Sequence, residues 1–160
     1  MTGGGGLQND SSGVRFPPPL LYALPWLVGW LLGRAVPVHW LPSLTAVRLV
    51  GWPLVATAVL LSGTAVGLFR ALGNTPKPGK PVVALAVEGP YRWTRNPMYL
   101  GLAALYVGLA ALFNTVWPLV FLPFAIVLIQ RLVIAKEERY LEAKFGQRYR
   151  DYKTRVRRWI

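Results

Sequence analysis

The chain contains no cysteine, one histidine and only six acidic residues among its 160. Without thiols there can be no disulfide, no thiolate nucleophile and no cysteine-based metal site. His39 cannot form a histidine cluster alone, and the apolar stretches contain no carboxylates to complete one, so no metal centre is expected. Charge of either sign is scarce at 15%, against a hydrophobic fraction of 54%, a balance foreign to a water-soluble globule and ordinary for a chain solvated by lipid. The run Gly3-Gly4-Gly5-Gly6 follows no strand pattern and opens no helix, which argues against a phosphate cradle. With few apolar side chains around it, the stretch 1–15 reads as a disordered tail.

What the sequence does have is long uncharged runs. Residues 16–33 are uncharged and rich in Leu and Trp, although Pro17, Pro18, Pro19 and Pro25 interrupt an ideal helix. This is the first expected span; a cleaved signal peptide competes with it but lacks a strong basic flank and a small-x-small cleavage site. Residues 49–69 give 21 uncharged positions, about 30 Å of helix, and Ser62-Gly63-Thr64 with Gly67 offers a small face for close helix packing. Residues 98–113 and 115–130 form two further apolar runs separated by Asn114, the pattern of a helical hairpin in which Pro118 and Pro123 would kink the second arm.

Eighteen basic residues against six acids give a net charge of +12. Sixteen of them fall at Arg15, between Arg70 and Arg95, or from Arg131 onward, and only Arg34 and Arg48 fall in the remaining connections. Under the positive-inside rule this asymmetry puts both termini and the central loop in the cytoplasm and makes four crossings the natural count. Topology thus accounts for most of the charge, and no nucleic-acid partner is expected. The expected fold is all-α: a multi-pass transmembrane helical bundle of about four spans in the cell membrane, with a cytoplasmic C-terminal helical extension. A single domain covers 16–160, with the first two spans in 16–69, a cytoplasmic loop in 70–96, and the hairpin and C-terminal helices in 97–160.

Two stretches carry residues suited to chemistry. The first runs from Glu88 through Tyr91, Arg92, Arg95, Asn96, Pro97 and Tyr99 to Gly101. Asn96 suits a helix N-cap and Pro97 the first helical position, so a helix starts here with its positive dipole end beside Arg92 and Arg95, a geometry that favours an anion. Simple anchoring to lipid headgroups, with Tyr91, Trp93 and Tyr99 as an aromatic belt, is the alternative use of the same residues. The second stretch, from Arg131 on, contains four of the six acids interleaved with ten basic residues. Residues 134–145 continue the fourth helix to a stop at Gly146. Glu137 and Glu138 point about 100° apart on such a helix, so one can face a pocket while the other pairs with a cation. Tyr149, Tyr152, Val156 and Trp159 recur every three or four residues, as in an amphipathic terminal helix on the membrane or over the hairpin.

Taken together, Gly89, Tyr91, Arg95-Asn96-Pro97, Tyr99 and Gly101, an apolar hairpin, then Glu137-Glu138, Leu141, Phe145-Gly146, Tyr149 and Tyr152 resemble the isoprenylcysteine carboxyl methyltransferase family and related membrane phospholipid methyltransferases. The likeness covers roughly residues 80–160 and departs from the eukaryotic pattern in carrying Asn96 where those enzymes have histidine. It implies a membrane methyltransferase that uses S-adenosylmethionine, bound by Tyr91, Arg95, Asn96, Pro97, Tyr99 and Glu137 or Glu138. The acceptor would be lipophilic, a small molecule or a lipidated substrate amid membrane lipids, with carboxylate O-methylation of the isoprenylcysteine type the first expectation. Arg92 and Arg131 are candidates on physical grounds for orienting a substrate carboxylate, and they stand as the expected catalytic residues. Two other readings compete. Membrane sterol reductases that bind NADPH share a similar helix start but carry Glu where this chain has Leu102, and a small membrane subunit without turnover would keep the scaffold alone.

Overall fold

A computed structural model of the chain describes residues 10–14 and 16–160. Among the described residues every regular element is helical. In chain order they are α1 (Pro18–Ala35), α2 (Leu44–Ala71), a 3₁₀ turn (Gly89–Arg92), α3 (Pro97–Leu112), α4 (Trp117–Ile129), a π turn (Gln130–Ile134), α5 (Ala135–Phe145) and α6 (Gln147–Arg155).

The proline-rich start of α1 does not prevent a helix, because Pro18 and Pro19 fall in its first turn, where backbone N–H groups have no intrahelical partner to lose. Pro118 sits in the first turn of α4 for the same reason, which leaves Pro123 as the proline inside that helix. Helix α2 begins earlier than its uncharged run: the Ser43 hydroxyl accepts from the Ala46 N–H at 3.2 Å and caps a helix of 28 residues that carries Arg48 in its first turns.

Among the described residues two helical rods are long and apolar enough to cross a bilayer, Leu44–Ala71 and Trp117–Phe145. The second comprises α4, the π turn and α5; its uncharged part ends at Gln130, and α5 lies beyond it among charged residues. The 16-residue α3 is apolar but shorter, and α1 does not meet the same standard. Large apolar side chains nevertheless stand exposed on three of the helices, among them Leu24 and Leu31 of α1, Val59 and Leu60 of α2, and Phe124 of α4. Exposure of that kind suits a lipid surround.

Helix α2 packs chiefly on α3, and α1 on α4. Glycines fix both approaches. A Cβ on Gly29 would lie 2.6 Å from the backbone N and Cα of Pro118; on Gly101 it would meet Ser62 Oγ and stand 3.1 Å from the Ala58 carbonyl. Ser62 therefore does lie at a close contact, but Gly63 and Gly67, expected to share that face, have nothing within 4 Å. Small residues permit close approach, and the pairing of helices decides which of them are used.

Asn114 closes the hairpin with φ 47°, the left-handed region that asparagine tolerates. Its side chain also ties the opposite end of the bundle together, accepting from the Trp40 and Leu41 N–H groups and donating to the Leu41 carbonyl. Of the stretch read as a tail, residues 10–14 are placed against the fold: Val14 is buried with Tyr22, Tyr106, Ile129 and Val133, and Asp10 pairs with Lys144 at 2.7 Å. Residues 1–9 and Arg15 lie outside the described residues.

Gly29→Ala is expected to destabilise the purified protein by about 2 kcal/mol or more, because backbone on the other side cannot yield. Gly63→Ala, at an open position, should leave the melting temperature in detergent at or above that of the wild type.

Candidate functional site

The two sequence stretches meet. A single cleft is lined by Tyr91 from the 3₁₀ turn, by Arg95, Asn96, Pro97 and Tyr99 at the entry to α3, and by Glu137 and Glu138 from α5. All seven residues expected to bind a cofactor are therefore brought together. Arg92 and Arg131 are not: both side chains are exposed and neither lines the cleft. Arg92 closes a 3₁₀ turn and Arg131 lies in the π turn.

The adjacent acids divide their roles as helical geometry requires. Glu137 accepts from the Tyr99 hydroxyl on both oxygens, at 2.8 and 2.9 Å. Burial pushes its carboxyl up to about 7, against the lowering effect of that hydrogen bond, and the neighbouring Glu138 charge adds to the rise. Glu138 is buried and ion-paired. Arg158 approaches it through two donors, Nε to Oε1 at 3.1 Å and Nη2 to Oε2, and Arg95 Nη2 stands 3.3 Å from Oε1.

Arg95 contributes the least expected feature. Its Nε and Nη1 are buried in the wall of the cleft and donate to nothing among the described residues. Tyr149 stands near the guanidinium without a hydrogen bond of ordinary geometry to either nitrogen. Buried guanidinium donors are rarely left unpaired in a folded protein, because the desolvation they suffer is not repaid. An anion in the cleft would repay it.

Asn96 is the N-cap residue and Pro97 the first helical residue, as the sequence predicts, but the asparagine side chain does not cap the helix. Its Nδ2 donates instead to the Arg158 carbonyl at 2.9 Å. The Thr94 hydroxyl donates to the same carbonyl at 3.1 Å, and the Arg95 N–H donates to the Arg157 carbonyl at 3.0 Å. Trp159 Nε1 reaches Gln130 Oε1 of the π turn at 3.2 Å. Residues 157–159 thus form a strap across the entry to α3 and the end of α4.

The terminal helix α6 lies over the loop that precedes the site. Tyr149, Tyr152 and Val156 are buried with Leu85, and the Tyr152 hydroxyl donates to the Tyr91 carbonyl at 2.7 Å. That loop is folded around Asn74, a buried side chain that accepts from the Val83 and Ala84 N–H groups and donates to the Ala84 carbonyl. The loop residues Lys77, Gly79 and Lys80, with Ser12 from the N-terminal segment, complete the rim of the cleft.

Residues 47–148, well over half of the chain, match the family model described as phospholipid methyltransferase. The chain belongs to this family of membrane methyltransferases. The match contains both site stretches up to Arg148 and stops short of α6's buried tyrosines and the strap. An uncharacterized protein of Haemophilus influenzae is 57% identical over 35 residues, which is 22% of this chain and 56% of that protein. The chain thus spans little more than half the length of that relative.

The raised carboxyl of Glu137 has a consequence for stability. Between about pH 4.5 and about 7 the folded protein keeps a proton that the unfolded chain releases, so Glu137 withdraws up to ~3 kcal/mol as pH climbs through this window. Glu137→Gln cannot ionise; its melting temperature relative to wild type should rise from about pH 5 to about pH 7.5 and then level off. A difference that stays constant across this range would mean that the carboxyl ionises normally.

Proposed function

We propose that the protein is a multi-pass membrane methyltransferase that takes its methyl group from S-adenosylmethionine and delivers it to a lipophilic acceptor, by carboxylate O-methylation. The observation that carries this reading is the unpaired, buried Nε and Nη1 of Arg95, set in one cleft with the Glu137–Tyr99 pair. An amino-acid head group has a carboxylate for the first and an ammonium for the second. Tyr91, which stacks on Phe69 at 6.5 Å, offers an aromatic face to a cation. The residues present therefore fit the donor.

S-adenosylmethionine supplies an electrophilic methyl on a cationic sulfur. The chain's own contribution is alignment and dryness: Arg95 and Glu137 fix the head group, while the Asn74-anchored loop and α6 exclude water from the cleft. An ammonium beside Glu137 holds its carboxyl ionised, so binding tightens as pH rises through about 7. Asn96 and Pro97 act by starting α3 where Tyr99 can reach Glu137.

A carboxylate acceptor suits the cleft because it is already ionised at neutral pH and needs no base to become a nucleophile. The lipophilic class is supported by Phe69 and Met98, which border the cleft at the C-terminal end of α2 and the start of α3. The sixteen basic residues at Arg15, between Arg70 and Arg95 and from Arg131 onward, with the apolar outer faces of the helices, support a reading of four crossings with both termini cytoplasmic. Amine N-methylation of a phospholipid headgroup is the second reading, favoured by the name of the matched family.

Protein in lipid nanodiscs, incubated with methyl-labelled S-adenosylmethionine and a lipid extract, should place label in the organic phase. Mild base should release it as methanol, the signature of a methyl ester. Label that resists base would assign N-methylation instead, and no transfer with any lipid extract would contradict the enzyme reading.

A further inference from the structure

Glu138 and Arg95 are not a simple pair. A buried carboxylate offers about four lone-pair sites, and a single planar guanidinium beside it would ordinarily engage it through two parallel N–H donors. Arg95 does not: it meets Glu138 through Nη2 alone, at 3.3 Å, and keeps Nε and Nη1 unspent. The position that would let Arg95 close on the carboxylate is taken by Arg158, which occupies both oxygens. Arg158 reaches that position because its own backbone is held, its carbonyl by Thr94 and Asn96, and the preceding carbonyl by the Arg95 N–H.

We infer that Arg158 is a positioning residue. By saturating Glu138 it keeps Arg95 from turning inward and leaves two guanidinium donors free for the carboxylate of the methyl donor. This rests on the cofactor reading above. The side chain of Arg158 is about one-third exposed and is not among the residues lining the cleft, so its effect on a ligand must pass through Glu138 and Arg95.

The arrangement has a signature that a structural role lacks. Without Arg158, the freed oxygen of Glu138 is buried and unpaired beside Arg95, whose Nη2 already stands 3.3 Å from Oε1 and whose Nε and Nη1 are uncommitted. Arg95 then closes on Glu138, and recognition of the ligand's carboxylate is lost while recognition of its adenosine and sulfonium is not.

Binding of S-adenosylmethionine and of its decarboxylated analogue is measured by calorimetry on the purified, detergent-solubilised full chain. The wild type should prefer the carboxylate-bearing ligand by about tenfold or more. In Arg158→Ala that preference should fall to within about twofold, and Arg158→Lys should lie between. Adding Glu138→Gln to Arg158→Ala should restore the preference, because a neutral amide no longer draws Arg95 to itself. Equal weakening of both ligands in Arg158→Ala, or wild-type discrimination in that variant, would overturn the inference while leaving the cofactor reading intact. A wild type that binds neither ligand would remove the cofactor reading and this inference with it. If Arg158→Ala fails to fold, Arg158→Lys with and without Glu138→Gln gives the same comparison: an unchanged ratio in both overturns the inference.

Discussion

Three segments distant in sequence converge on the carboxylate of Glu138: the entry to α3 through Arg95, the start of α5 through Glu138 itself, and the strap through Arg158. It is the least exposed acidic residue among the described residues. Removing a charge from water costs several kcal/mol, and a buried ion is retained only where partners surround it. This triad is therefore less a source of net stability than a constraint on geometry. With one carboxylate shared by two guanidinium groups, the segments can come together in few ways, and the way they adopt leaves part of Arg95 uncommitted.

The rest of the site is arranged around that constraint. Pro97 starts α3 so that Tyr99 faces Glu137, one residue before the triad's acid, and the ~100° step between adjacent helical residues lets the two carboxylates look in different directions. Glu138 is neutralised by arginines, whereas Glu137 has only a phenol and a neighbouring charge of its own sign. One pair of adjacent acids thus yields an ion-paired side chain that joins three segments and a carboxyl that burial raises to about 7. The bundle beneath supplies stiffness, with Gly29 drawing α1 against the start of α4 and Gly101 drawing α3 against α2.

Much of this was readable in the residue order. Uncharged runs located the helices, Asn96-Pro97 located the start of α3, and Gly146, with φ 55°, ends α5 as expected. The meeting of the two motif stretches followed from the likeness to known methyltransferases. Other features left no mark that a linear reading could use. The strap acts largely through the backbone carbonyls of Arg157 and Arg158, and a carbonyl is the same whatever side chain it bears. Asn96 has the right chemistry for a cap, yet tertiary contact gave its amide a different partner. Arg92 and Arg131 were attractive as cations near the site, but charge in a sequence does not say which way a side chain points. Helix α2 extends beyond the uncharged run 49–69, because a helix can run on past Arg48 when Ser43 caps it.

Recognition of the methyl donor depends on the uncommitted Nε and Nη1 of Arg95. Calorimetric titration of S-adenosylmethionine into purified wild type and Arg95→Gln tests this most directly. The expected result is measurable binding to the wild type and a loss of about tenfold or more in the variant, the cost of one charge-assisted contact. Equal affinity in the two proteins would contradict it.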